Sequence, residues 1–288
     1  MLAALVAQSA AFAATVDLNT DSASCRVDLD GARVLSFRVA GAEVLWNADP
    51  PQTFAADWAH GGIPVCWPRF GVDAEGKIHG VAWRRPFAVL RRAAEPSRAE
   101  LVLGLSEGQA RLEYSIVLTD ALTLEMTTIN AGTNDFPCSY GFHPYLRVAE
   151  RNGVAVEGVD ALAFEDDPSR VNPERGVWHG TLRVNSSIDR IFRLPSAGSR
   201  GVFTLGYRVG GCIVSVSCVG ANHLNVWNPG AEKNCPGVVP GDEWRRFVCV
   251  EPIFVGGAGG DPMPIPPGKR SSLKMTIRAS KCGGECQR

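Results

Sequence analysis

Residues 111–127 restrict the fold more than any other stretch. Leu112, Tyr114, Ile116 and Leu118 alternate with Arg111, Glu113, Ser115 and Val117. Beyond Asp120-Ala121, Leu122, Leu124 and Met126 fall on one side and Thr123, Glu125 and Thr127 on the other. A period of two puts one set on a buried face and the other on a wet face. That is an antiparallel hairpin closed by a tight turn, and a helix of 3.6 residues per turn cannot satisfy it. Such a hairpin needs a second layer against its apolar face.

Most of the chain reads the same way. Residues 26–29, 33–39 and 43–46 are short β runs broken by Asp30-Gly31 and Ala40-Gly41. Further runs cover 87–90, 100–105, 153–159, 181–184, 190–194, 202–209, 212–219, 224–227, 247–254 and 272–277. About fifteen strands result, with no sustained helical period. One helical turn is expected over 229–233. Residues 47–80 are rich in Pro, Gly and Trp and read as a long structured loop carrying site residues. Residues 256–268 read as a Gly/Pro-rich surface loop. No repeat or linker divides the chain. The expected fold is all-β, with two large antiparallel sheets packed face to face in one domain over 15–280.

Composition excludes several partners. Among 288 residues the net charge is −1, with no basic block, so nucleic acid is not expected. No run is long enough to span a membrane. Nine cysteines, an odd number with no CxxC pair, read mostly as reduced thiols. Residues 281–288, with Cys282 and Cys286, read as a disordered tail. Residues 1–14 are apolar and alanine-rich, and Ala11-Phe12-Ala13 resembles a signal-peptidase site, but no positive charge precedes it. They read as a signal-like or disordered start. A cytoplasmic location is expected unless 1–14 is a signal peptide. Nothing marks a dimer surface, so a monomer is expected.

Two segments carry the acid/base chemistry. In Ser139-Tyr140-Gly141-Phe142-His143-Pro144-Tyr145 a histidine sits at the edge of a strand-forming run. In Phe247-Val248-Cys249-Val250-Glu251 a carboxylate ends a run that should be buried. Such a carboxylate needs partners, and a histidine exchanges protons near neutral pH. His143 and Glu251 are therefore candidates for one acid/base pair. In Gly61-Gly62-Ile63-Pro64-Val65-Cys66-Trp67-Pro68-Arg69-Phe70-Gly71, Trp67 and Phe70 offer flat surfaces for a sugar, or the loop simply packs on the core. His79, before Gly80, either donates to a hydroxyl or is structural. Asp189 either binds a pair of hydroxyls or caps a turn. His60, His179 and His223 do not combine with cysteines at zinc spacing, so no catalytic metal is expected. Nucleotide and serine-hydrolase motifs are missing, so no cofactor is expected.

Taken in order, GGIPVCWPRFG, IHGVA, YGFHPYLRV, DRIF, NVWNPGAEK and RRFVCVE resemble the aldose 1-epimerase superfamily, and within it the hexose-6-phosphate branch. The resemblance covers roughly residues 15–280 and implies a β-supersandwich that interconverts α and β anomers without a cofactor. It implies that His143 protonates the ring oxygen and that Glu251 takes the anomeric hydroxyl proton. His79 and Asp189 would hold the substrate, a sugar or sugar phosphate. Two departures bear on the phosphate. His60 and Trp83 stand where that branch carries arginines, and neither reproduces the arginine fork. Arg69, Arg84 or Arg85 would have to substitute, so a weakened preference for a 6-phosphate is expected. A silent sugar-binding protein and a carbohydrate hydrolase or lyase remain alternatives on the same scaffold.

Overall fold

The computed structural model describes residues 15–48, 60–148, 154–167, 172–195, 201–209, 212–231, 239, 241–257 and 259–281, with backbone alone for 201–209, 212 and 281. The expected signal-like start, residues 282–288 of the expected tail and residues 232–233 of the expected helical turn lie outside the described residues, whereas Lys281 ends the strand Arg270–Lys281.

The hairpin forms where the alternation puts it. Strands Ala110–Leu118 and Ala121–Asn130 pair antiparallel with Leu118 opposite Leu122. Leu112, Tyr114, Ile116, Leu124 and Met126 are fully buried on its inner face. The hairpin sits within a nine-stranded antiparallel sheet running from Leu182–Arg183 to Ala88–Glu95. An eight-stranded sheet packs against it, with Phe247–Phe254 near its centre between His223–Asn228 and the short strands Tyr140–Phe142 and Tyr145–Arg147. A four-stranded sheet over residues 15–43 and a two-stranded one complete the molecule.

Facing side chains of the two large sheets merge into one core. Leu112, Tyr114 and Leu124 from one sheet share it with Leu224, Val226, Val248 and Val250 from the other. Because a strand alternates its faces, the intervening Asn225, Trp227, Cys249 and Glu251 must point away from that core, onto the opposite face of the eight-stranded sheet. That face carries the candidate site.

Two expectations need correction. Residues 256–268 are not all loop: Met263–Ile265 is a strand paired with Phe136–Cys138. Residues 47–80 include Val65–Cys66, an edge strand of the eight-stranded sheet. Prolines flank or interrupt these pairings, so their short apolar runs never reach the length that reads as a strand. Helix is confined, among the described residues, to the 3-10 turns Ala82–Arg84 and Glu243–Arg246. Cys25, Cys66, Cys138 and Cys249 are buried free thiols.

Candidate active site

Register builds the site. Across the eight-stranded sheet, Ile191 faces Asn225 and Asn225 faces Glu251. Two residues along, Asp189 faces Trp227, Trp227 faces Cys249, and Cys249 faces Tyr145. Strands Tyr140–Phe142 and Tyr145–Arg147 both pair with Phe247–Phe254 in one continuous register, Gly141 opposite Ile253 and Tyr145 opposite Cys249. His143, in the break between them, therefore stands opposite Glu251. The break exists because Pro144 cannot donate to the ladder.

Apart from Cys249, these two rows line a cavity of about 350 Å³ with His60, Phe70, Ile78 and His79 on its other wall. His143 Nε2 lies 3.6 Å from Glu251 Oε1. Asn225 Nδ2 reaches the same oxygen at 3.5 Å. Glu251 Oε2 and Asn225 Oδ1 are buried acceptors without a hydrogen-bond partner among the described residues. Each such orphan costs about 1–3 kcal/mol until a donor arrives, and sugar hydroxyls are donors. Glu251 is fully buried. Burial, then the Asp189 charge, pushes its carboxyl well above the usual range, against the opposing hydrogen bond from Asn225. Burial, then the neighbouring His79 and His60 rings, holds His143 well below its ordinary value. Both shifts favour neutral side chains, so the pair at rest carries one transferable proton, on Glu251.

His143 is held from several sides. Its ring stacks on Tyr145 at 4.8 Å and 16° and meets Trp227 and His79 edge-on at 5.6 and 5.4 Å. Tyr145 Oη in turn bonds His60 Nδ1 at 2.8 Å. His79 sits in the left-handed region at φ 56°. Its Nδ1 accepts from the Gly71 N–H at 3.2 Å, which leaves the proton on Nε2. Burial holds His79 down at about 3, so it is a neutral donor.

The sequence candidates divide into two groups. His143, Glu251, His79 and Asp189 meet in the cavity wall. Trp67 does not: its indole is fully buried in the main core, with Nε1 donating to Thr128 Oγ1 at 2.9 Å. It cannot stack on a ligand, and the aromatic surfaces in the wall are Phe70, Tyr145 and Trp227. Arg69 also lies outside the lining, with Nη2 donating to the Val72 carbonyl at 3.1 Å. Arg84 packs its guanidinium over the Trp83 ring at 4.2 Å, again outside it. Sequence reasoning missed Asn225, Trp227 and Tyr145. The first two carried a signal, since they alternate with the apolar Leu224 and Val226.

The aldose 1-epimerase family model matches residues 15–278. A Salmonella typhimurium protein named "Putative glucose-6-phosphate 1-epimerase" is 28% identical over 274 residues, covering 88% of this chain and 86% of that protein. Among solved structures, a "putative mutarotase" from Salmonella typhimurium superposes with a TM-score of 0.79 at 22% identity, covering 93% of this chain and 90% of that one. A galactose mutarotase-like protein from Clostridium acetobutylicum does so with a TM-score of 0.73 at 15% identity, covering 93% and 95%. At these identities the superpositions establish the fold.

Proposed function

The chain belongs to the aldose 1-epimerase family and is a carbohydrate mutarotase, and from that premise we propose that His143 and Glu251 open and reclose the pyranose ring of an aldohexose. The observation that carries this reading is their shared rung, with Nε2 and Oε1 3.6 Å apart in the wall of one cavity. The two oxygens that exchange protons, O1 and the ring oxygen, are bonded to the same carbon. An acid and a base that serve them must therefore converge, as these do.

The steps balance without an outside reagent. The pair's single proton first passes from Glu251 to His143; Glu251, now a carboxylate, takes the O1 proton, the bond from C1 to the ring oxygen breaks, and His143 as imidazolium protonates that oxygen. The open aldehyde rotates about C1–C2. Neutral His143 then takes the hydroxyl proton while Glu251 protonates the carbonyl oxygen, closing the ring on the other face. Opening turns an ion pair into two neutral groups, which is the state that burial favours. Bound sugar hydroxyls supply donors to Glu251 Oε2 and Asn225 Oδ1, the two orphaned acceptors. His79 donates from Nε2, and Asp189 accepts from hydroxyls at the other end of the wall.

The preference for a 6-phosphate is weakened in this reading. His60 is held neutral by burial at about 4, and Trp83 is buried with Nε1 on the Ile78 carbonyl, so neither side chain can match a phosphate charge. The test is NMR magnetisation exchange between α and β anomers of glucose, galactose and glucose 6-phosphate, with wild type and His143→Ala. Wild-type exchange lost in the variant supports the pair. Undiminished exchange in His143→Ala contradicts it, and a hundredfold preference for the phosphate, about 2.7 kcal/mol, contradicts the substrate assignment.

A further inference from the structure

The proposed reaction has no use for Cys249. It lies two residues before Glu251 on the same strand face, opposite Tyr145 and between it and Trp227. Its Sγ, a His143 ring nitrogen and a Glu251 carboxylate oxygen all lie within 4.8 Å of one another, and all three residues are buried. We propose that His143, Cys249 and Glu251 form a binding site for a thiophilic divalent cation such as Zn²⁺, and that the bound metal shuts off the acid/base pair.

Geometry, charge and chemistry all favour such an ion. In tetrahedral zinc with bonds of about 2.0–2.3 Å, ligand atoms lie about 3.4–3.6 Å apart. The His143 Nε2 to Glu251 Oε1 separation of 3.6 Å already meets this. The thiol needs to close by at most about 1.2 Å, within reach of a side-chain rotation. A thiolate, a carboxylate and a neutral imidazole together cancel two positive charges. On binding, the protons of Cys249 and Glu251 leave to solvent, so the balance closes. His143 and Glu251 line the cavity, so solvent there can supply a fourth ligand. The thiolate selects Zn²⁺ or Co²⁺ over Mg²⁺, which prefers oxygen ligands.

The surroundings hold the ligands in place. Asn225 steadies the carboxylate at 3.5 Å, and Tyr145 holds the imidazole plane. Zinc spacing is invisible in the sequence because Cys249 and Glu251 share a strand while His143 comes from a distant segment and meets them through register. The inhibitory half of the inference rests on the proposed roles of His143 and Glu251, whereas the metal site itself does not.

Metal-free protein would be titrated with Co²⁺ while absorbance is followed, and Zn²⁺ would be titrated into the anomer-exchange assay. The expected result is a near-ultraviolet sulfur-to-cobalt charge-transfer band that Zn²⁺ abolishes. Zn²⁺ should slow exchange, EDTA should restore it, and Mg²⁺ should do neither. Cys249→Ala and Cys249→Ser should each lose the band. Each should also need at least about tenfold more Zn²⁺ to halve its own metal-free rate. Should neither fold by circular dichroism, His143→Ala keeps the thiol and should lose the tetrahedral spectrum. No band in wild type, or a band that persists in the Cys249 variants because other thiols hold the metal, overturns the site. A band lost in those variants with exchange untouched by Zn²⁺ keeps the site and overturns the shut-off.

Discussion

His143 and Glu251 stand opposite each other across one rung of a sheet, although the strand bearing the histidine is interrupted by Pro144. The register on either side of the interruption is the same, so the imidazole takes a ladder position and its Nε2 comes to 3.6 Å from Glu251 Oε1. Burial lowers the histidine and raises the glutamate, so the pair keeps a single proton over a wide span of pH. The catalysed exchange rate should be flat through neutrality. It should fall on the acid side, below 6.5, as His143 gains a proton, and on the alkaline side as Glu251 loses its own. A profile of kcat/KM, corrected for spontaneous mutarotation, checks this. An inflection at the ordinary histidine value would contradict it.

His79 should act as a neutral donor. Its Nδ1 is committed to the Gly71 N–H, and burial holds the ring unprotonated down to about 3. Nitrogen-15 shifts of the imidazole should report the Nε2–H tautomer at pH 6. His79→Phe leaves a substrate oxygen without its donor, so kcat/KM should fall by about 5- to 150-fold, equivalent to about 1–3 kcal/mol. A protonated ring at pH 6 would rule the role out.

Gly80 is what lets His79 sit where it does. Gly80 has φ 69°, and a Cβ there would lie 2.5 Å from the Trp67 carbonyl oxygen, which belongs to backbone that cannot swing aside. Val81 and Ala82 N–H groups bond that same carbonyl. Gly80→Ala should lower stability by roughly 1–3 kcal/mol. It should also reduce kcat/KM by displacing His79. Urea midpoints and exchange rates measured together would show both losses, and a variant as stable and active as wild type would contradict the account.

His60 should make the fold acid-sensitive. Its folded value is about 4 against an ordinary 6.5, so the unfolded chain binds a proton that the folded chain refuses. Stability is fully present above 6.5 and is lost as pH falls from there toward 4. The loss attributable to this residue at pH 5 is about 2 kcal/mol. His60→Gln can still bond Tyr145 Oη and does not titrate. Its unfolding free energy should therefore change less between pH 7 and 5 than that of wild type, by about that amount. Equal pH dependence in the two proteins would refute this.

Much of the architecture was legible because period-two alternation is a local signal. Residues 111–127 carry it plainly, and the hairpin follows. His143 and Glu251 were legible too, as proton-exchanging groups at the ends of apolar runs. Their shared rung was not, since register between distant strands is set by packing and by the break at Pro144. Trp67 misled for a related reason. Its Pro/Gly-rich context leaves open whether the indole meets a sugar or packs on the core, and it packs, buried and satisfied by Thr128 from the nine-stranded sheet. The Cys249 cluster shows the same limit, because its ligands are drawn from strands whose pairing no linear spacing encodes.

The central claim is that His143 and Glu251 work as one unit, and a double-mutant cycle on catalysed anomer exchange tests it most directly. His143→Ala and Glu251→Gln should each cost about 10²–10⁴-fold, and the double variant should be little worse than either single one, because removing one member already disables the other. Losses that multiply in the double variant, or a Glu251→Gln protein that exchanges anomers at the wild-type rate, would contradict it.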